Sequence, residues 1–386
     1  MNFLSAATGK NWVSIEAPKE QEQQKLALVE SHKAKLNQFL TEVLLAENLV
    51  VLAGLGTSMC VVDSQKKPVA PTMEELWSEI EKKVGDQFSE LKNKVKYKTP
   101  AGGDNIEALL SFCQLAQQFQ PEKSVETFIK QAEAIIVERC RFVRPGVNLT
   151  IHEGFLRKVA RRPTRQPRLR LFTTNYDLTF ETAASHTRFV AVDGFSHTQP
   201  QEFDGIHFTY DFVFREQDRE APDYIPNVFH LYKMHGSVDW EQTGSQIVKA
   251  AKPEKPLIIY PRYSKFESSY DQPFLEMMSR FQLALRQPNT GLLILGFGFN
   301  DRHISQPVLS AIRANVGLKA IIVDPTLEKS TSEPIVHIKS LIEQGDWRLT
   351  LVAAKFEELV PILPDLVAET EEEQHRNRIR KLGTTS

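Results

Sequence analysis

The chain has few cysteines, and they lie far apart. Its 386 residues include only Cys60, Cys113 and Cys140. Dozens of residues separate them, so they form neither a disulfide framework nor the closely spaced ligand pairs of a structural zinc site. We therefore expect reduced, mostly buried thiols and no zinc.

Long apolar runs and an excess of charge of one sign are also missing. No window approaches the roughly 18 consecutive apolar residues of a membrane helix, and the opening MNFLSAATGKNW does not resemble a secretory signal. The formal net charge is −2, with 25% charged and 41% hydrophobic residues. We expect a cytoplasmic globular protein with no membrane association and no direct nucleic-acid binding.

Apolar stretches that end in small or polar residues recur along the chain. This pattern predicts an α/β fold with a Rossmann-like parallel sheet. A first strand is predicted in NLVVLAG, after a helix at about 21–46. Further strands are predicted at 169–173, 188–192, 228–233, 257–260, 292–295, 319–323 and near 348–352.

The length allows two or three domains, or one α/β domain with an insertion, and we favour the second. Between about 71 and 162, apolar residues recur three and four apart without a strand pattern, which predicts a helical insertion packed over the ligand crevice. Residues 1–47 then form an N-terminal extension and helix, 48–365 the α/β domain, and 366–386 a polar tail.

Two motifs place candidate reactive side chains at strand ends. TTNYD follows the strand at 169–173 and contains Asn175, while KMHGS follows the strand at 228–233 and contains His235. The carboxyl ends of strands in an open α/β sheet present its ligand-binding groups. A histidine alone is more often structural than catalytic, so the prediction rests on the two motifs together.

Glycine loops follow two further strands. In GLGTSM, Gly54 and Gly56 bracket a tight turn, and Thr57 and Ser58 supply hydroxyl groups. A backbone without Cβ atoms lets phosphate or ribose approach closely. The loop does not match G-x-G-x-x-G, and such a loop taken alone is more often a structural turn than a ligand site.

A second glycine loop, GFGFND, contains Gly296 and Gly298 and places Asn300 and Asp301 at a predicted helix N-terminus. Asp301 could cap that helix, contact a cofactor, or do both. The strand IIVDP ends at Asp324, the position of the acidic residue that meets adenosine hydroxyls in many dinucleotide folds.

The cluster RKVARRPTRQPRLR, residues 157–170, is strongly basic. No aromatic residues interleave with its charges, which disfavours a nucleic-acid site. We expect a solvated helix end and loop.

Taken together, the motifs resemble those of the sirtuin-like family over about residues 48–325. GLGTS corresponds to the first glycine loop of that family, TTNYD to its Asn-Asp motif, KMHGS to its catalytic histidine motif and GFGFND to its second ribose loop. The resemblance implies a fold that binds NAD in an extended crevice beneath a smaller domain.

By this resemblance, His235 would be the general base and Asn175 would orient the ribose or the attacking water. Asp177 would contact the nicotinamide carboxamide, and the first glycine loop would line the diphosphate. The expected cofactor-binding residues are Gly54, Gly56, Thr57, Ser58, Thr174, Asp177, Gly296, Gly298, Asn300, Asp301 and Asp324.

The chain also departs from the protein-deacylating sirtuins. It lacks their paired cysteines, and residues 62–71 lack the expected arginine-containing stretch. VAPTMEELW resembles the corresponding segment of prokaryotic sirtuin-like NAD hydrolases of anti-phage defence. This implies cleavage of NAD to nicotinamide and ADP-ribose, which needs no metal because nicotinamide leaves as a neutral molecule.

We identify no sensor domain in the sequence, so we expect assembly to control the activity. The arrangement is similar to that of the sirtuin-like subunit that pairs with a HerA-type hexameric ATPase, which implies a homo-oligomer with such an ATPase as partner. A protein deacylase and a non-catalytic module that binds NAD derivatives are the alternatives. The presence of both Asn175 and His235 argues against the second.

Overall fold

A nine-stranded sheet forms the centre of the computed structural model of the chain. The structure describes residues 1–16, 23–100, 103–215, 223–254, 256–258, 272–368, 374–375 and 378–379. The strands β1 to β14 are, in chain order, Asn2–Ser5, Val13–Ser14, Asn48–Ala53, Leu169–Thr173, Val190–Val192, Val213–Phe214, Asp223–Tyr224, Val228–Lys233, Gly236–Thr243, Gln246–Lys249, Pro256–Ile258, Thr290–Leu295, Leu318–Val323 and Leu349–Ala353.

The order of the large sheet is β2-β1-β14-β13-β12-β3-β4-β8-β5. The strands from β14 to β5 pair in parallel, whereas β1 and β2 add an antiparallel edge. A small antiparallel sheet, β10-β9-β11, continues directly from β8. The predicted α/β fold with a parallel sheet is confirmed.

The helices α1 to α11 in the described residues are, in chain order, Gln23–Leu44, Met73–Val84, Gln87–Lys94, Ile106–Phe119, Lys123–Cys140, Thr150–Val159, Thr179–Thr187, Phe274–Arg286, Arg302–Ala314, Glu333–Glu343 and Phe356–Leu359. The predicted first helix is confirmed from residue 23 to 44. Its first two predicted residues lie outside the described residues.

The central strands of the sheet are buried on both faces. β3 and β12 have no exposed residue, as expected of strands covered by helices on both sides. Along β3, Val50 and Leu52 pack into one core and Leu49 and Val51 into another. The sheet therefore separates two hydrophobic layers.

Helices α2 to α5 build a third core over the carboxyl edge of the sheet. Thr72 and Glu75 form a capping box at the start of α2, which directs the buried Trp77 and Ile80 into this core. Tyr176, from the loop after β4, packs there as well. Helix α6 packs with the main sheet instead, so the helical bundle covering the site consists of α2 to α5.

The basic cluster at 157–170 forms a helix end and a loop, as predicted, but several of its arginines are buried rather than solvated. Arg162 is 4% exposed and donates hydrogen bonds to the carbonyl oxygens of Leu44, Ala46 and Glu47 at 2.7–3.0 Å. Arg168 forms a bidentate ion pair with Asp211 at 2.9 and 3.0 Å. These guanidinium groups satisfy buried backbone oxygens and a carboxylate.

Candidate functional site

The strand order reverses between β3 and β12. After β3 the chain builds β4, β5 and β8 on one side, and from β12 it builds β13 and β14 on the other. The two glycine loops follow these two neighbouring strands, and the TTNYD and KMHGS motifs follow β4 and β8. In open α/β sheets ligands bind outside the carboxyl ends of the strands at such a reversal, so topology brings all four motifs to one edge.

The two glycine loops pack directly on each other. A Cβ atom on Gly56 would lie 2.5 Å from Gly296 Cα, and one on Gly54 would lie 2.5 Å from Gly296 O. Gly296 has a φ of 55°, and its carbonyl accepts a 3.0 Å hydrogen bond from the Gly56 amide. These glycines are thus required by contact between loops, a reason that their motifs did not reveal.

Asn175 is held by the first glycine loop in one orientation. Its Nδ2 lies 3.0, 3.2 and 2.9 Å from Gly54 O, Thr57 Oγ1 and Ser58 Oγ. Thr57 gives its hydroxyl proton to Gly54 O and Ser58 gives its own to Asp177 Oδ2. All three oxygens can therefore only accept from the amide.

In this orientation the first glycine loop binds Nδ2 of Asn175 and not its Oδ1. Among the described residues no hydrogen bond to that oxygen is present, and Asn175 lines the cavity described below. Oδ1 is an acceptor only. It can receive a hydrogen bond from a ligand hydroxyl or from water.

Asp177 lines the same cavity but its carboxylate is engaged by the protein. Oδ2 accepts from Ser58 Oγ at 2.7 Å, and Oδ1 accepts from the Thr179 amide and hydroxyl at 3.0 and 2.7 Å. The side chain joins the first glycine loop to the start of α7. A contact with nicotinamide stays a prediction.

Lys233 was not identified from the sequence, although it fixes the TTNYD loop. Its ammonium group donates to the carbonyls of Tyr176 and Asp177 and to Glu181 Oε1 at 2.9 Å. It is 2% exposed. Burial raises the pKa of the Glu181 carboxyl, and the Lys233 charge opposes that rise. The signal in the sequence was a lysine at the end of a mostly apolar strand.

His235 follows β8 and contacts Asp301, which follows β12 in the second glycine loop. The His235 Nε2 and Asp301 Oδ2 atoms are 2.9 Å apart, an ion pair when the imidazole is protonated. Both side chains are 8% exposed. Oδ1 of Asp301 accepts from the His303 amide at 2.9 Å. Asp301 therefore caps α9, as one alternative from the sequence had it, and also faces the histidine.

Gly236, next to the histidine, has a φ of 88°, and a Cβ there would lie 2.1 Å from Leu257 O in β11. This close backbone contact turns the chain from β8 into β9 and fixes the direction from which His235 enters the site.

A cavity of about 290 Å³ lies between this edge and the α2 to α5 bundle. Eight of the predicted residues line it: Thr174, Asn175, Asp177, His235, Gly296, Gly298, Asn300 and Asp301. Five do not: Gly54, Gly56, Thr57 and Ser58, which lie beside it in the first glycine loop, and Asp324. Asp324 accepts hydrogen bonds from the Thr326 amide and hydroxyl at 2.8 and 2.6 Å.

The cysteines are free, with Cys113 and Cys140 buried and Cys60 half-buried. Burial raises the pKa of the Cys60 and Cys113 thiols to about 12, so both stay protonated at neutral pH. Within the described ranges, no cluster of three or more His, Cys, Asp and Glu side chains is suited to a metal ion. The same residues contain no helix long and apolar enough to cross a bilayer.

One region of the chain is similar to a known family. Residues 169–335 match a SIR2-like domain. This SIR2-like region contains Asn175, His235 and the second glycine loop, but neither the first glycine loop nor the α2 to α5 bundle. No curated protein sequence matches the chain.

A solved structure from work on the mechanism and regulation of Sir2 enzymes aligns with 89% of this chain and 99% of its own chain. The identity is 12% and the TM-score 0.40. The match of the SIR2-like region and the geometry of the site, rather than this distant structural likeness, support the proposal below.

Proposed function

We propose that the chain binds NAD and hydrolyses its nicotinamide-ribose bond. The observation that carries the proposal is the orientation of Asn175, which lines the same cavity as His235 and whose Nδ2, rather than its Oδ1, is bound by the first glycine loop. The match of residues 169–335 to a SIR2-like domain supports NAD as the ligand.

The chemistry follows from the bond that breaks. Nicotinamide departs with the bonding electrons as a neutral ring, and positive charge develops on the ribose. Water then bonds to that carbon and loses a proton. Asn175 Oδ1 would position the water or a ribose hydroxyl, and His235 would take the proton. The products are nicotinamide and ADP-ribose.

Asp301 gives this histidine a counter-ion. When His235 accepts a proton, the carboxylate at 2.9 Å stabilises the imidazolium. We expect Asp301→Asn to lower the rate of NAD cleavage about tenfold to a hundredfold, because it removes the negative charge that stabilises the protonated histidine. Asparagine is also a good N-cap, so α9 should remain capped. Initial rates of nicotinamide release measure the effect.

Asp86→Asn is a matched control, since this exposed aspartate precedes α3 and lies outside the cavity lining. It should retain the rate of the unmodified chain. If Asp301→Asn also retained that rate, Asp301 would be a helix cap alone.

Hydrolysis and protein deacylation are distinguished by their dependence on a second substrate. We expect nicotinamide release from NAD without any peptide, and no increase when an acetyl-lysine peptide is added. Nicotinamide release that required the peptide, with loss of its acetyl group, would establish a deacylase instead.

We further propose that the protein is a homo-oligomeric effector of anti-phage defence under the control of a HerA-type hexameric ATPase. The support is the sequence resemblance together with the need to restrain an enzyme that depletes NAD. Exposed apolar side chains such as Leu28, which is 57% exposed on α1, are available for contacts between subunits.

Light scattering should give a mass at least twice the 44.0 kDa of one chain, and NAD cleavage should change markedly when the ATPase is added. A monomer with full activity that does not respond to the ATPase would contradict this control. It would leave the roles of Asn175 and His235 unaffected.

A further inference from the structure

Residues 174–178 leave β4 and form the loop that contains Asn175. The start of this loop stays close to the sheet, because the Asn175 amide donates to Thr173 Oγ1 at 3.1 Å. The carbonyl groups of Tyr176 and Asp177, further along the loop, lie beyond the strand pairing of β4. Both residues are buried, so these oxygens require hydrogen-bond donors from elsewhere in the fold.

Lys233 supplies a donor to both oxygens. It is the last residue of β8 and lies opposite Thr173 in the parallel register of β4 and β8. Its Nζ donates to Tyr176 O at 3.3 Å and to Asp177 O, and also to Glu181 Oε1 at 2.9 Å. An ammonium group has three protons, so these three acceptors use all of them.

The charge of Lys233 is buried and balanced by the Glu181 carboxylate. The Lys233 side chain is 2% exposed and that of Glu181 is 22% exposed. Taking two charges out of water is costly, and their attraction offsets that cost only while both partners are present. Glu181 stands in the first turn of α7, where the helix dipole also favours a negative charge. The ion pair therefore joins the start of α7 to the end of β8.

These contacts lie next to the two proposed catalytic residues. Asn175 directly precedes Tyr176 in the loop, and His235 follows Lys233 by two positions. Lys233 thus ties the loop that carries Asn175 to the strand end that carries His235. A misplacement of about 1 Å between reacting groups can lower a rate about a hundredfold.

We propose that Lys233 is a positioning residue for the proposed NAD cleavage. Through its hydrogen bonds to the loop carbonyls it fixes the place of Asn175 relative to His235. The inference rests on the proposed function and adds to it a residue that acts without touching the substrate. Lys233 is not among the described residues that line the cavity, so its effect on turnover is exerted through the loop.

The loop should stay folded without the lysine. Tyr176 O also accepts from the Val238 amide at 3.0 Å, so it keeps a donor when Lys233 is replaced. The Asp177 carboxylate keeps the Ser58 hydroxyl as a donor. A substitution of Lys233 therefore removes the fixation by the ammonium group and leaves other support of the loop in place.

The test is the kinetics of nicotinamide release by Lys233→Met in the full chain. Methionine is unbranched and of similar length, but it has no charge and no proton to donate. We expect kcat to fall about tenfold to a hundredfold. The KM for NAD should change less than about threefold, because placement matters mainly in the transition state. Amide hydrogen exchange of a peptide that covers residues 174–178 should become faster.

A double variant separates positioning from stability. In Lys233→Met the Glu181 carboxylate loses its cationic partner, and the melting temperature should fall. Adding Glu181→Gln removes that carboxylate charge, so the melting temperature should recover in part while kcat stays low. If Lys233→Met alone does not fold, the double variant carries the same kinetic test.

Arg162→Met is the matched control. Arg162 is also buried and donates to the backbone carbonyls of residues 44, 46 and 47, which precede β3 at the end of the sheet opposite the cavity. The variant should lower the melting temperature and, assayed below it, keep kcat within about twofold of that of the unmodified chain. Hydrogen exchange at residues 174–178 should not change.

Four outcomes would overturn the inference. The first two are an unchanged kcat in folded Lys233→Met and unchanged hydrogen exchange at residues 174–178. Recovery of kcat together with the melting temperature in the double variant, or an equal loss of kcat in Arg162→Met, would assign Lys233 a structural role only. Absence of nicotinamide release from the unmodified chain would overturn the proposed function itself, a result distinct from an active chain that does not need Lys233.

Discussion

Replacing His235 with alanine should lower NAD cleavage by about two to four orders of magnitude, the usual contribution of a general base. His235 lines the same cavity as Asn175, and Asp301 Oδ2 lies 2.9 Å from its Nε2. No other histidine lines that cavity within the described residues. Nicotinamide release under saturating NAD gives the rate.

The fold should survive this substitution, because His235 follows the last residue of β8 by two positions and does not contribute to the strand pairing of that sheet. His337→Ala, at an exposed position of α10, is the matched control and should keep full activity. Full turnover in a folded His235→Ala protein would remove His235 from the mechanism.

Replacing Asn175 with alanine should reduce turnover about a hundredfold or more and change the KM for NAD much less. In the proposed mechanism its Oδ1 holds water or a ribose hydroxyl, and such positioning matters mainly in the transition state. The side-chain amide is held in one orientation by the three contacts of Nδ2 with Gly54, Thr57 and Ser58. Separate kcat and KM values are the readout.

The same substitution removes hydrogen bonds within the first glycine loop, so stability has to be measured alongside. Ser58→Ala breaks the contacts with Asn175 and Asp177 but leaves Asn175 Oδ1 in place. We expect each variant to lose about 1–3 kcal/mol of stability, while Ser58→Ala loses far less turnover. If binding of NAD fell in proportion to turnover in Asn175→Ala, the residue would be a cofactor anchor instead.

The sequence predicted the central strands well because burial on both faces leaves a continuous apolar signal. The bounds of β4 and β8 agree with the prediction, and β12 and β13 begin within two residues of it. β1 and β2 were missed, since strands of four and two residues are too short to show a period. β1 pairs with β14, which lies near the distant end of the chain, and β2 pairs with β1.

The candidate site was predicted in part. The motifs located Asn175 and His235 because their residue types occur at the ends of recognisable strands. Three contacts of the site join elements that are far apart in sequence. They are the His235–Asp301 pair, the hydrogen bond from Lys233 to the Asp177 carbonyl and the hydrogen bond from Tyr176 to Glu107. Residue patterns within one segment do not specify such contacts.

One prediction was wrong in part, for a physical reason that only the fold supplies. The basic cluster at 157–170 was expected to be a solvated helix end and loop, because no aromatic residues interleave with its charges. Arg162 is nevertheless buried where three backbone carbonyls converge. His152 was not a candidate and is also fully buried, where burial lowers the pKa of its imidazole to about 4. Its environment would keep it neutral at physiological pH.

The central claim is that this cavity cleaves NAD, and the most direct measurement is chromatography of the products over time. Purified chain, alone and with the HerA-type ATPase, is incubated with NAD in the absence of any peptide. We predict nicotinamide and ADP-ribose in equal amounts, and a loss of both products in His235→Ala. NAD recovered unchanged under both conditions, or products formed equally by His235→Ala, would contradict the claim.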